Sequence, residues 1–278
     1  MSNVAASPEL LIPKQSFAND LRTIKVVWQR DLIRFWADKP RIFGSVGQPF
    51  LYFFVLGTGM STIVPQTHGI SLRTFLFPGV LSLSVMFTCF LSAGSIVTDR
   101  EFGFMRVMLV APVRRGAIVV GKCLGGATVG VFQGSLLLAI AGLAHIPYDP
   151  ILMVTLLGEL VLLSFMLTAI GVLVAVQVRR MQSFMAIMQL SAAPMYFMSG
   201  ALFPLDGLPA WLAVLNRLDP LSYAVDPMRR AVMGRLGVPV AGLTWGGGRL
   251  PLSVELGVVI AIALMAAWCS TERFERMN

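Results

Sequence analysis

The feature that most constrains this chain is a set of predominantly apolar runs longer than any soluble core helix needs. Runs over about 43–64, 74–98, 117–143, 151–177, 184–203 and 252–270 each reach or exceed the roughly 20 residues that cross a bilayer. Composition agrees: 56% of the residues are apolar and 13% charged, against roughly 45–50% and 25% in soluble domains. The expected fold class is all-α integral membrane, with six transmembrane helices.

An even number of spans puts both termini on one side, and the cations choose which. Residues 1–42 hold seven Lys/Arg, 99–122 five, 178–183 two and 271–278 two, whereas the opposite side carries Arg73, none in 144–150, and five in the long stretch 204–251. Short loops dominate this rule, so the N- and C-termini are expected in the cytoplasm and the protein in the cytoplasmic (inner) membrane. The same distribution explains the net charge of +8 without a nucleic-acid partner, since no basic stretch is interleaved with stacking aromatics. Residues 1–16 lack the apolar core of a signal peptide, which leaves insertion to the first span.

The expected domain plan has a cytoplasmic segment over 1–42, a transmembrane domain over 43–270 and a cytoplasmic tail over 271–278. Within the first segment, Phe17, Leu21, Ile24, Trp28, Leu32 and Phe35 recur every three or four residues, while Arg22, Lys25, Gln29 and Arg34 fall elsewhere. That pattern makes an amphipathic basic helix, lying at the interface or packed on the bundle. The external stretch 204–251 is different. Prolines at 204, 209, 220 and 227 cut it into apolar pieces too short to cross, which predicts a re-entrant helical pair at roughly 208–217 and 221–234, then a turn-rich linker over 237–251.

Chemistry-bearing patterns are few. Gly116 to Cys123, GAIVVGKC, nearly matches a phosphate-binding loop, but Cys123 supplies no hydroxyl for magnesium and an apolar helix follows without a preceding strand. Cys89, Cys123 and Cys269 have no metal or redox spacing, and His68 and His145 fall in short polar connections. No catalytic residue, metal site or resident cofactor is expected, and the chain is not expected to be an enzyme. Gly121, Gly125, Gly126, Gly130 and Gly134 repeat at four-residue spacing and read as helix packing, within a protomer or between two. Glu159 is the carboxylate deepest inside a span, with Gln133 a candidate partner. Gln48, Tyr52, Glu159, Tyr196 and Ser199 are the polar candidates for a translocation path.

Residues 98–122, TDREFGFMRVMLVAPVRRGAIVVGK, open with charges, turn apolar at Phe102, Phe104, Met105, Val107 and Met108, and break at Pro112. A cytoplasmic helix with an exposed apolar face needs a partner's groove. This segment, the PLDGLPAWLAVLNRLDPLSYAVDPMRR stretch before the last run, and the order of amphipathic helix and six spans together resemble the type-2 export permeases of ATP-binding-cassette (ABC) transporters, which include drug, lipo-oligosaccharide and polysaccharide exporters. The resemblance covers nearly the whole chain from about residue 20.

It implies a half-transporter whose loop after the second span is a coupling helix docking a cytoplasmic ATPase, with two permeases, identical or not, and two ATPases per unit. ATP and Mg2+ then belong to the partner. By the same carry-over Asp99, Arg100, Glu101, Phe102, Gly103 and Met105 form the coupling surface. The weakly charged interior favours an amphipathic or lipid-linked substrate over small ions. The alternative is an ATP-independent secondary carrier or channel, which would need inverted repeats or a buried charge network.

Overall fold

The computed structural model describes residues 17–59, 72–103, 114–203, 209–238, 242–245 and 248–276. They form α1 (Phe17–Ala37), α2 (Lys39–Gly59), α3 (Leu72–Ala93), α4 (Ser95–Glu101), α5 (Arg115–Leu138), a 3-10 turn (Ala141–Ala144), α6 (Pro150–Gln177), α7 (Met181–Met198), α8 (Ala210–Leu218), α9 (Ser222–Arg235), a two-residue strand pair, and α10 (Leu252–Glu275). The strands Thr244–Trp245 and Gly248–Arg249 pair antiparallel inside the stretch expected to be a linker. α8 and α9 lie on the two segments expected to be short helices.

Among the described residues four helices are long and apolar enough to cross a membrane: α3 continued by α4, α5, α6 and α10. Six were expected. The other two expected spans lie on α2, several of whose side chains fall outside the described residues, and on α7, which carries Gln182, Gln189, two serines and Pro194.

The reasons for the elements are local. Asp149 caps α6 by accepting from the Ile151 N–H at 2.9 Å, and Pro150 follows at the first position, where its missing N–H has no cost. At 28 residues α6 is about 42 Å long, more than the roughly 30 Å hydrocarbon core requires.

In lipid, apolar burial does not drive helices together, so close packing and polar contacts must. α3 is the hub and packs against α2, α5, α6, α7 and α9. α10 instead buries one stripe, Glu255, Val259, Ala263, Ala266, Ser270 and Phe274, along α5 and α6, and leaves Leu264, Met265 and Trp268 outward. α1 packs along α5, which is compatible with a place at the membrane interface. Its bundle-facing stripe is Asp20, Val27, Asp31 and Phe35, while Phe17 and Leu21 of the expected apolar face are exposed.

Candidate functional site

The segment singled out in sequence begins where α3 meets α4. Gly94 separates them, and a Cβ there would come within 2.7 Å of Met181 Cε and 3.0 Å of Phe184 Cε1, so a glycine lets the start of α7 pack against the joint. α4 ends at Glu101, and Gly103 takes the left-handed conformation (φ 76°) that stops a helix, its N–H bonding Arg100 O at 3.1 Å.

Asp99, on the last turn of α4, is buried among cations from two other helices. Lys122 of α5, itself 3% exposed, donates to Asp99 Oδ2 at 3.0 Å, Asp31 Oδ1 at 3.0 Å and Ser95 Oγ at 2.8 Å, which uses all three ammonium protons. Arg30 of α1 also bonds Asp99, and Arg34 Nη1 lies 3.4 Å from Asp99 Oδ1. Three cations thus share two carboxylates across α1, α4 and α5. Within such a cluster, removing one partner leaves an uncompensated buried charge at a cost of about 3–5 kcal/mol.

The next two residues bind a different pair of helices. Arg100 donates to Val176 O and Val178 O, each at 2.9 Å, which satisfies carbonyls at the end of α6 and places a cation at its negative pole. Glu101 Oε1 accepts from Met181 N at 3.1 Å, at the positive pole of α7. Phe102, 77% exposed, then points away from the bundle. Of the six residues assigned to coupling, Asp99, Arg100 and Glu101 thus anchor the end of α4, Phe102 is presented outward, Gly103 turns the chain, and Met105 lies outside the described residues.

Sequence reasoning missed Arg30, Asp31 and Lys122, and placed Arg34 on the basic face of the amphipathic helix. A signal was present. Asp31 lies on the stripe of Val27 and Phe35, and Lys122 interrupts the glycine repeat, so both charges stand where helices must touch. The contacts of that repeat lie within the chain: a Cβ on Gly121 or Gly125 would meet Val27 or Asp31 of α1 at 2.9 and 3.1 Å, one on Gly130 would meet Cys89 Sγ at 2.6 Å and Ser164 Oγ at 2.9 Å, and Gly126 and Gly134 face α3 and α6.

The path candidates fall on or beside α2, α6 and α7. Tyr196 and Ser199 meet at the end of α7, where Ser199 Oγ donates to Tyr196 O at 2.8 Å. Glu159 is buried on α6 with Oε2 unpartnered among the described residues, and Gln133 Nε2 donates to Ser84 Oγ at 3.3 Å. Gln48 and Tyr52 belong to α2, and their side chains lie outside what is described.

A second buried charge cluster occupies the opposite end of the α3–α4 helix, which is about 45 Å long. Arg229 of α9 is 1% exposed, donates to Gly200 O (2.5 Å) and Ala201 O (3.1 Å) beyond α7, and covers the Phe75 ring at 4.4 Å. Beside it Arg230 pairs with Asp226 at 2.5 Å and with Glu255 of α10, and donates to Leu250 O at 2.8 Å. At the α8–α9 corner Asp219 accepts from Ser222 Oγ at 3.0 Å, and burial pushes its carboxyl up to about 7. Among the described residues no group of three metal-ligating side chains forms.

A family model described as ABC-2 type transporter matches residues 22–233. Nodulation protein J of Neorhizobium galegae is 26% identical over 243 residues, 86% of this chain and 91% of that protein. Nodulation protein J of Rhizobium leguminosarum bv. trifolii is 27% identical over 247 residues, with the same coverage. The inner membrane transport permease YadH of Escherichia coli (strain K12) is 26% identical over 221 residues, 78% of this chain and 85% of the relative.

Proposed function

The chain belongs to the ABC-2 type transporter family, and from that premise we propose that it is the permease subunit of an ABC exporter, working in the cytoplasmic membrane with a separate ATPase. One observation carries the coupling role: the end of α4 is tied by charge to α1 and α5, bonded to the α6–α7 corner, and still presents Phe102 outward. A partner's groove closing on Phe102 pushes on four other helices through short polar contacts rather than on a loose loop.

The full arrangement in this reading has six spans, α2 and α7 being the two less apolar ones. Polar groups on a span are tolerated where they face protein or a water-filled cavity, and Gln182 and Gln189 of α7 are exposed in the single chain. α2 and α7 therefore line the path against a second permease, an identical copy, and the unit holds two permeases and two ATPases. α8 and α9 form the re-entrant pair in the outer leaflet, both termini are cytoplasmic, and ATP with Mg2+ is bound by the partner. An amphipathic or lipid-linked substrate suits a bundle whose buried ion pairs sit at its two ends.

Purification of the tagged chain tests this reading. A soluble ATPase is expected to copurify in equal number, and transport into vesicles to require it; transport by the chain alone, driven by an ion gradient, would show a secondary carrier instead.

A further inference from the structure

Two cavities lie one above the other along the seam between α5 and α10. The first, about 690 Å³, opens where α5 begins and is lined by Asp20 of α1, Arg114 and Arg115, Val120, and Thr271 and Glu275 of α10. The second, about 340 Å³, is an apolar groove lined by Leu124, Thr128 and Val131 of α5, Phe165 of α6, and Ala263 and Leu264 of α10. Val120 and Leu124 are one helical turn apart and Leu264 and Thr271 two, so the same faces of α5 and α10 line both cavities. From Ala117 to Val131 the seam runs about 21 Å, more than the roughly 15 Å of one leaflet's hydrocarbon. Phe17 and Leu21, exposed beside Asp20, put the mouth at the depth of the membrane interface.

The mouth carries both signs of charge in equal number. Arg114 Nε lies 3.4 Å from Asp20 Oδ2 with 61% of the arginine side chain still exposed, and Arg115 Nη1 donates to Phe274 O at 3.2 Å and Glu275 O at 2.6 Å. A purely basic pocket between spans selects anionic headgroups. Two guanidinium groups with two carboxylates instead match a headgroup that is neutral overall but has separated charges.

We propose that this seam is a binding site for one zwitterionic amino-phospholipid. Its phosphate lies toward Arg114 and Arg115, its primary ammonium toward Asp20 and Glu275, and one acyl chain fills the groove. A choline headgroup has the same charges without N–H donors, and a glycerol headgroup has the phosphate without the ammonium, so the two serve as chemical controls. The site needs no ATPase, and its fate is separate from that of the coupling reading.

Native mass spectrometry of the purified full-length chain, offered phosphatidylethanolamine, phosphatidylcholine and phosphatidylglycerol at equal concentration, tests the proposal. Phosphatidylethanolamine is expected to be retained about tenfold over each of the others, the worth of one charge-assisted hydrogen bond. Arg114→Gln and Asp20→Asn should each remove that preference, and Ala263→Phe, which fills the groove, should remove retention altogether. Phosphatidylglycerol held as tightly as phosphatidylethanolamine, or equal retention of all three, would overturn it. That comparison uses the unmodified chain, so a variant that does not fold leaves the test decisive.

Discussion

The two ends of the α3–α4 helix bury charge in different ways. At the Asp99 end the contacts are between side chains from three separate helices, with three cations on two carboxylates and Asp31 Oδ2 left without a partner among the described residues. At the Arg229 end the arginine is held by backbone carbonyls and an aromatic face, and Arg230 pairs with Asp226 of its own helix and with one carboxylate from another, Glu255 of α10. Backbone carbonyls cannot be exchanged for other partners without unwinding the chain. Carboxylates on separate helices can. The first end is suited to move as a linked set, the second to hold α9 fixed against α3 and α7.

The largest effect should come from breaking the linked set. Asp99→Asn leaves the buried Lys122 and the partly exposed Arg30 with too little negative charge, and should lower stability by about 3–5 kcal/mol. Adding Lys122→Met removes the excess, so the double variant should be less destabilised than the two single losses combined. Thermal unfolding of the purified proteins in detergent reads both. Additive losses would mean that the residues are neighbours without being coupled.

At the other end, Arg229→Met should cost less, about 1–3 kcal/mol in the same assay. Methionine keeps much of the volume beside Phe75, and the loss is that of hydrogen bonds to two carbonyls rather than of a charge partner. A loss as large as that of Asp99→Asn would erase the distinction between the two ends.

Between the clusters, Gly130→Ala should destabilise by about 1–3 kcal/mol because its Cβ would overlap Cys89 and Ser164, whereas Gly158→Ala, on the open face of α6, should leave the unfolding midpoint unchanged or higher.

A separate effect is a pH dependence at the α8–α9 corner. Burial raises the Asp219 carboxyl to about 7 from an ordinary value near 4, so the folded state binds more protons than the unfolded one between those values. Its contribution is fully present below pH about 4 and is lost as pH rises through about 7. Asp219→Asn should flatten that part of the stability profile, and an unaltered profile would contradict the assignment.

The apolar runs of α3, α5, α6 and α10 were legible in the sequence because lipid demands length and hydropathy, which one chain displays directly. α7 is the instructive case: Pro194 and two glutamines interrupt an otherwise apolar helix, so its place in the bilayer depends on what packs against it. For the site, the segment was legible and the roles of its residues were not. Charges at 99–101 read naturally as surface, since nothing in a linear run shows that Asp99 meets Lys122 and Arg30, 23 and 69 residues away. The exposed residue, Phe102, is the one composition would have buried.

Site-directed photocrosslinking decides between the two ends. In a chain whose three native cysteines are replaced, a thiol-attached photoreactive group on Phe102→Cys should crosslink to the partner ATPase in membranes, and the same group on Trp211→Cys, also exposed on α8 at the opposite end, should not. A crosslink from Trp211→Cys with none from Phe102→Cys would place the ATPase at the wrong end and contradict the account.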